Sequence, residues 1–146
     1  MKKKYLNKFK LNNNIAYIIG GTGTIGKEVV KYFCEASAKV IVLDQKRNDA
    51  LLNRLKRNYQ INFEKFDVSN LERLENNLHK LFKKYGNPNI LINCSYPKDD
   101  QWTNNTFSKI KLSSLKKNIQ INLISNVWIS KIFAEKMKNN KKKNMS

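Results

Sequence analysis

Short, nearly all-apolar runs alternate along this chain with longer segments whose apolar residues recur every three or four positions. The runs are Ile15–Ile19 (IAYII), Lys39–Leu43 (KVIVL), Ile61–Phe66 and Asn89–Asn93 (NILIN). Each has strand length, and three of the four lack the polar alternation of a half-exposed strand, so they read as strands covered on both faces. Between them Ile25, Val29 and Phe33 make one helical stripe, and Leu51, Leu55 and Tyr59 another. The third helix is the best marked: Ser69 and Glu72 have capping-box spacing, Leu71, Leu74, Leu78 and Phe82 share a face, and Gly86 with Pro88 ends it. This alternation predicts βαβ units and a parallel sheet in an α/β fold.

After the fourth strand comes a polar, aromatic-containing loop, SYPKDDQWTNNTFSKIK, and then a long helix predicted from about Ser113 to Met137. Its apolar residues, among them Leu115, Ile119, Ile121, Leu123, Val127, Ile129 and Phe133, cover more than one face. That predicts burial on two sides, against the sheet and against another helix or subunit. Residues 1–13 and 139–146 are polar and read as frayed ends. No repeat or linker interrupts the 146 residues, which read as one domain able to bury roughly two thirds of its unfolded surface.

Composition changes this picture little. The formal charge is +18, from 29 basic and 11 acidic residues. Only four of the basic residues are Arg (Arg47, Arg54, Arg57, Arg73), while Lys and Asn are in large excess. Arg is the side chain suited to bidentate phosphate and base contacts, so its scarcity argues for solvated Lys and against a nucleic-acid partner. Cys34 and Cys94 form no Cys-x-x-Cys pair and no disulfide framework, which predicts a reduced, cytoplasmic protein. His79, the only histidine, sits in a polar helical pattern and reads as exposed, so no metal site is expected. The Lys-rich start has the charge of a signal peptide without its apolar core, and no stretch has membrane-spanning length, so no membrane partner is expected.

The candidate chemistry lies in IIGGTGTIGKEVV, residues 18–30. Glycines there can serve a plain tight turn. Gly21, Gly26 and Lys27 also satisfy the Gly-x-x-x-x-Gly-Lys of a phosphate loop, but the next residue is Glu28, where such a loop needs a hydroxyl on Mg²⁺. The third reading is a dinucleotide site. Glycines at 20, 23 and 26 follow a strand and open a helix, letting the backbone approach a pyrophosphate that the helix N-terminus attracts. Asp44 ends the second strand 18 residues after Gly26, where a carboxylate can accept hydrogen bonds from a ribose diol. That favours NAD over NADP, whose extra phosphate Asp44 would repel, although Lys46 and Arg47 follow closely.

With Asp67-Val68 after the third strand and LINCSYP at the fourth, the chain resembles the short-chain dehydrogenase/reductase family. GGTGTIG is similar to the family's glycine motif, with Ile19 where Thr is usual and Thr24 where one subgroup has Gly. The resemblance implies that Gly20, Thr22, Gly23, Thr24, Ile25 and Gly26 hold the cofactor, and that Asp67 and Val68 hold the adenine ring. It implies that Asn93, Cys94 and Ser95 wall the nicotinamide side, although Cys94, Ser95 and Tyr96 depart from the family's Asn-Asn-Ala-Gly. Asn122 matches the Asn of the catalytic tetrad. Each residue also has a plainer reading. Asp44 and Asp67 can be strand-end caps, Asn93 a turn residue, Asn122 a buried structural amide and Cys94 packing, while Trp102 can line a substrate pocket or close a loop. The loop NCSYPKDDQW further resembles the branch containing flagellin-modification oxidoreductases of surface-sugar biosynthesis, which implies a sugar-nucleotide substrate.

In this family a Tyr with Lys four positions on exchanges a proton with a small-molecule hydroxyl or carbonyl while hydride passes to or from the nicotinamide. None of Tyr5, Tyr17, Tyr32, Tyr59, Tyr85 or Tyr96 has a Lys in that position. The resemblance therefore implies an incomplete Rossmann-type three-layer sheet of order 3-2-1-4 without its C-terminal strands, an inactive N-terminal product of a truncated gene. It also implies pairing with a second copy through the 113–137 helix. A non-catalytic nucleotide-binding or interaction module is the alternative.

Overall fold

A computed structural model describes residues 9–98 and 106–143, with the side chains of residues 139–143 outside the description. Its elements run β1 (Ile15–Ile19), α1 (Gly26–Glu35), β2 (Lys39–Asp44), α2 (Asp49–Lys56), β3 (Ile61–Lys65), α3 (Leu71–Tyr85), β4 (Ile90–Asn93), α4 (Leu112–Ile119), a π-helical turn (Gln120–Ile124) and α5 (Ser125–Lys143). The four strands are parallel in the order β3-β2-β1-β4. All four sequence-predicted strands are present within one residue at either end.

The side chains of β1 and β2 alternate between two cores, as a pleated strand requires. Tyr17, Ile19, Ile41 and Leu43 point to the face covered by α3 and α5 through Leu74, Leu78, Phe82, Ile129, Ile132 and Phe133. Ala16, Ile18, Val40 and Val42 point to the opposite face, covered by α1 and α2 through Val30, Cys34, Leu51, Leu52 and Leu55. Helices thus cover both faces of a parallel sheet, a three-layer Rossmann-type architecture.

Three expectations need correction. The buried stripe of α1 is Gly26, Val30 and Cys34, one residue on from the predicted one, and Ile25 is 72% exposed. The cap of α3 is Asn70, whose side chain accepts from the Arg73 amide, because Asp67 already holds the Ser69 hydroxyl. Near the ends, the Leu11 amide is bonded to the Ala36 carbonyl, and helix α5 runs to Lys143. Finally, the long helix is buried on one side only among the described residues. Ile121, Ile129, Ile132 and Phe133 face inward, while Leu115, Ile119, Leu123 and Val127 are exposed.

Tyr17 sits at the centre of the first core. Its hydroxyl donates to the carbonyls of Gly86 at 2.7 Å and Leu81 at 3.2 Å, tying β1 to the end of α3. Burial, with a contribution from Tyr85, pushes the Tyr17 phenol well above its ordinary value of 10.0, and burial pushes the Cys34 thiol up from 9.0 to about 12. In both cases the folded chain keeps a proton that the unfolded chain releases first. Their contribution to stability is therefore complete below about pH 9 and is lost as pH rises through the folded values. Thermal melts should show a midpoint that these two groups leave flat from pH 7 to about 9 and depress above it. Tyr17→Phe should weaken the drop above about pH 10, and an unchanged alkaline drop in that variant would contradict the assignment.

Candidate functional site

A cleft of about 660 Å³ opens at the carboxyl ends of the strands. It lies between the segments that follow β1 and β4, where the strand order reverses and parallel α/β sheets offer a crevice. Gly20 makes this junction tight. Its φ is +71°, and a Cβ there would stand 2.7 Å from the Cys94 carbonyl carbon and the Ser95 amide nitrogen. Only glycine lets the end of β1 lie against the end of β4 in this way.

The glycine segment reaches α1 through a short turn in which the Gly23 amide donates to the Gly20 carbonyl at 3.2 Å. Gly20, Gly23 and Thr24 line the cleft. Among the described residues the amides of Thr24, Ile25 and Gly26 have no hydrogen-bond partner, leaving the free donors of a helix start beside the cleft. Gly26 itself is buried beneath this turn. Its α-carbon is packed against the Gly20 carbonyl, so a Cβ would lie 2.0 Å from that oxygen. The Ile25 side chain points to solvent and is absent from the lining.

Asp44, at the end of β2, lines the cleft with Gln45 and Lys46. One carboxylate oxygen accepts from the Thr22 amide at 3.0 Å, and the Thr22 hydroxyl donates to the Lys46 carbonyl at 2.9 Å. These two bonds fix the glycine segment to the second strand and leave the carboxylate at the cleft wall. Arg47 turns elsewhere: its Nε is 2.6 Å from an Asp49 carboxylate oxygen and its guanidinium lies 5.5 Å from the Phe63 ring centre. Val68 and Phe66 line the cleft. Asp67 lies behind them, accepting from the Ser69 amide (2.9 Å), the Ser69 hydroxyl (2.7 Å) and Gln45 (2.9 Å). Burial works to raise the Asp67 carboxyl, but these donors outweigh it and hold it below its ordinary value. It borders a separate shallow recess instead of the main cleft.

On the other side Cys94, Ser95, Tyr96, Pro97 and Lys98 form a wall, with Lys117 and Ile121 of the long helix beside it. Burial raises the Cys94 thiol above its ordinary value. Asn93 lies just behind the wall; its Oδ1 accepts from the Ser95 amide at 3.0 Å and the Ser95 hydroxyl at 2.6 Å. Asn122 donates to the Pro97 and Asn118 carbonyls, both at 3.1 Å, and its buried Oδ1 has no partner among the described residues. Sequence reasoning missed Asn126, which bonds both Asn93 and the Asn122 carbonyl. The four-residue spacing of Asn118, Asn122 and Asn126, one stripe of amides on an apolar helix, was the available signal. Trp102 lies outside the described residues. His79 is exposed and paired with Glu75, and the described residues contain no cluster able to hold a metal.

A strand-to-helix turn of side-chain-free glycines, free amides at a helix mouth and a carboxylate on the neighbouring strand together suit a dinucleotide. The family model for short chain dehydrogenases matches residues 14–144. The chain belongs to the short-chain dehydrogenase family. Among solved structures, a 3-oxoacyl (acyl-carrier-protein) reductase from Agrobacterium tumefaciens with NADP bound is similar with a TM-score of 0.80. It is 19% identical over 97% of this chain and 54% of its own. A short-chain dehydrogenase from Leptospira borgpetersenii with bound NAD+ gives a TM-score of 0.73 and 21% identity, over 94% of this chain and 50% of its own. The chain thus spans about half the length of the solved structures it matches, and their likeness concerns the fold. No curated protein matches the chain. No helix among the described residues is long and apolar enough to cross a membrane.

Proposed function

We propose that this chain is the NAD-holding part of a short-chain dehydrogenase that oxidises or reduces a hydroxyl or carbonyl carbon of a small molecule. The observation that carries the reading is Asp44: its carboxylate is anchored to the Thr22 amide of the glycine segment while it lines the cleft. In this reading the free amides of Thr24, Ile25 and Gly26 grip the diphosphate, Asp44 accepts from the adenosine ribose, and Val68 with Phe66 packs against the adenine. The nicotinamide end lies toward the Cys94–Lys98 wall. A bound nicotinamide would supply or accept the hydride. Asn122 would help shape the substrate end, and the loop following Asn93 favours a sugar nucleotide as the substrate. This sequence has no Tyr with Lys four positions on. The proton transfer is therefore assigned to groups outside it, and the chain alone is expected to bind without turning over.

Asp44 supports NAD over NADP, since a 2′-phosphate would be brought against its carboxylate and Arg47 is occupied by Asp49 and Phe63. Calorimetric titration should find NAD bound more tightly than NADP. Asp44→Ala should weaken NAD by about 10- to 100-fold, the worth of one or two charge-assisted hydrogen bonds, and narrow the gap between the cofactors. Equal affinity for NAD and NADP in the wild type would refute the selectivity. No binding of either would refute the nucleotide site.

A further inference from the structure

Three asparagines join the wall of the cleft to the long helix, and the chemistry of the amide group dictates how each is turned. The Ser95 backbone amide can only donate, so the Asn93 oxygen must face it, as it does at 3.0 Å. The Asn93 NH₂ then faces Asn126 and requires an acceptor, which the Asn126 Oδ1 provides. With its oxygen so used, Asn126 presents its own NH₂ to the Asn122 carbonyl in the π-helical turn. The turn thus receives a side-chain donor. From the same turn, the Asn122 NH₂ reaches the Pro97 carbonyl at 3.1 Å. The wall is therefore held at two points, Ser95 through Asn93 and Pro97 through Asn122, and both tethers meet at Asn126.

Resting on the nucleotide reading above, we propose that Asn126 is a positioning residue that sets the nicotinamide-side wall of the cleft by orienting Asn93 and the π-helical turn. Asn126 does not line the cleft. Without it the half-buried Asn93 NH₂ has no acceptor, and the cost of that unpaired donor works against the rotamer that holds Ser95, loosening the wall. The opposite side of the cleft, built by the glycine segment and Asp44, has bonds of its own to Thr22 and Lys46 and does not depend on Asn126. The consequence is asymmetric: a ligand that reaches the wall feels the change, and one confined to the glycine segment and Asp44 does not.

The test compares NAD with ADP, both titrated calorimetrically into the whole chain. Asn126→Leu, close in volume and unable to hydrogen-bond, should raise the Kd for NAD about tenfold while leaving that for ADP within about twofold. Because Asn126 acts through Asn93, Asn126→Leu should add little on an Asn93→Ala background. Parallel weakening of NAD and ADP, no weakening of NAD, or effects of the two substitutions that multiply would each overturn the inference. Should Asn126→Leu fail to fold, the wild-type chain still decides. The side-chain NH₂ resonances of Asn93 and Asn126 should shift on addition of NAD but not ADP, and identical responses to both would overturn the assignment. Failure of the wild type to bind either nucleotide would instead sink the nucleotide reading, and this inference with it.

Discussion

Gly26→Ala should abolish nucleotide binding and remove a large part of the protein's stability. The added Cβ would lie 2.0 Å from the Gly20 carbonyl oxygen and 2.8 Å from both the Gly20 carbonyl carbon and the Gly21 α-carbon. All three are backbone atoms, so no side-chain rotation relieves the contact. The Gly20 backbone is held in place by its amide bond to the Leu43 carbonyl at 2.7 Å and by the Gly23 amide on its own carbonyl. Either α1 lifts away from the sheet, exposing Val30 and Cys34, or the turn opens. Both outcomes place the cost at the upper end of single substitutions, about 4 kcal/mol or more, against a total stability of about 5–15 kcal/mol. Gly23→Ala is the informative comparison. Its Cβ would meet only the Gly20 carbonyl oxygen, at 3.3 Å, yet Gly23 lines the cleft. That variant should fold with a loss of about 1 kcal/mol and still bind nucleotide poorly. Urea denaturation alongside calorimetry separates the two, and a Gly26→Ala protein within about 1 kcal/mol of wild type would show that the turn is not packed as described.

Phe133→Ala should be the most damaging truncation among the helix residues that face the sheet. Phe133 is 1% exposed, and its ring meets Phe82 edge-on at 5.0 Å and Tyr17 at 5.5 Å. Three aromatic rings from α5, α3 and β1 therefore lock together in one place. Removal of a buried Phe costs about 3–5 kcal/mol through lost transfer energy and the cavity left behind. The effect should reach the cleft, because α5 also carries Asn126, two turns before Phe133, and the wall hangs from it. Leu123→Ala, on the exposed side of the π-helical turn that leads into α5 and at 59% exposure, should cost less than about 0.5 kcal/mol. Equal urea midpoints for the two variants would mean that the helix is not anchored by this face.

The two faces of α1 show how far the pattern of residues could be read. Ile25, Val29 and Phe33 have helical spacing, but so do Gly26, Val30 and Cys34, one position on. Periodicity finds both stripes and does not choose between them. The choice is made by the turn, which brings Gly26 against the Gly20 carbonyl and so rotates the helix until Val30 and Cys34 meet the sheet. The cap of α3 was misread for a related reason. Ser69 and Glu72 satisfy the spacing rule, but the Asp67 carboxylate takes both the amide and the hydroxyl of Ser69, and Asn70 caps the helix instead.

Of the candidate site, the glycines and Asp44 were legible because their spacing is local: strand, turn, helix start and the end of the next strand lie within 30 residues. Asn126 was not, since its meaning depends on its bond to Asn93, 33 residues earlier. Asp67 was expected at the adenine end, and its place behind the cleft needed coordinates.

What this sequence determined alone is the set of parallel strands and their intervening helices, because apolar runs too short for a helix can be buried only by covering both faces. The helix-opening glycine turn and its carboxylate partner were likewise written in local spacing. Only the tertiary structure decided which stripe of α1 faces inward, that the long helix leaves one apolar side exposed, and that a relay of amides supports the cleft wall. Those outcomes depend on which backbone atoms and amide groups meet across long sequence separations. Hydrophobic periodicity, blind to such meetings, carries no record of them.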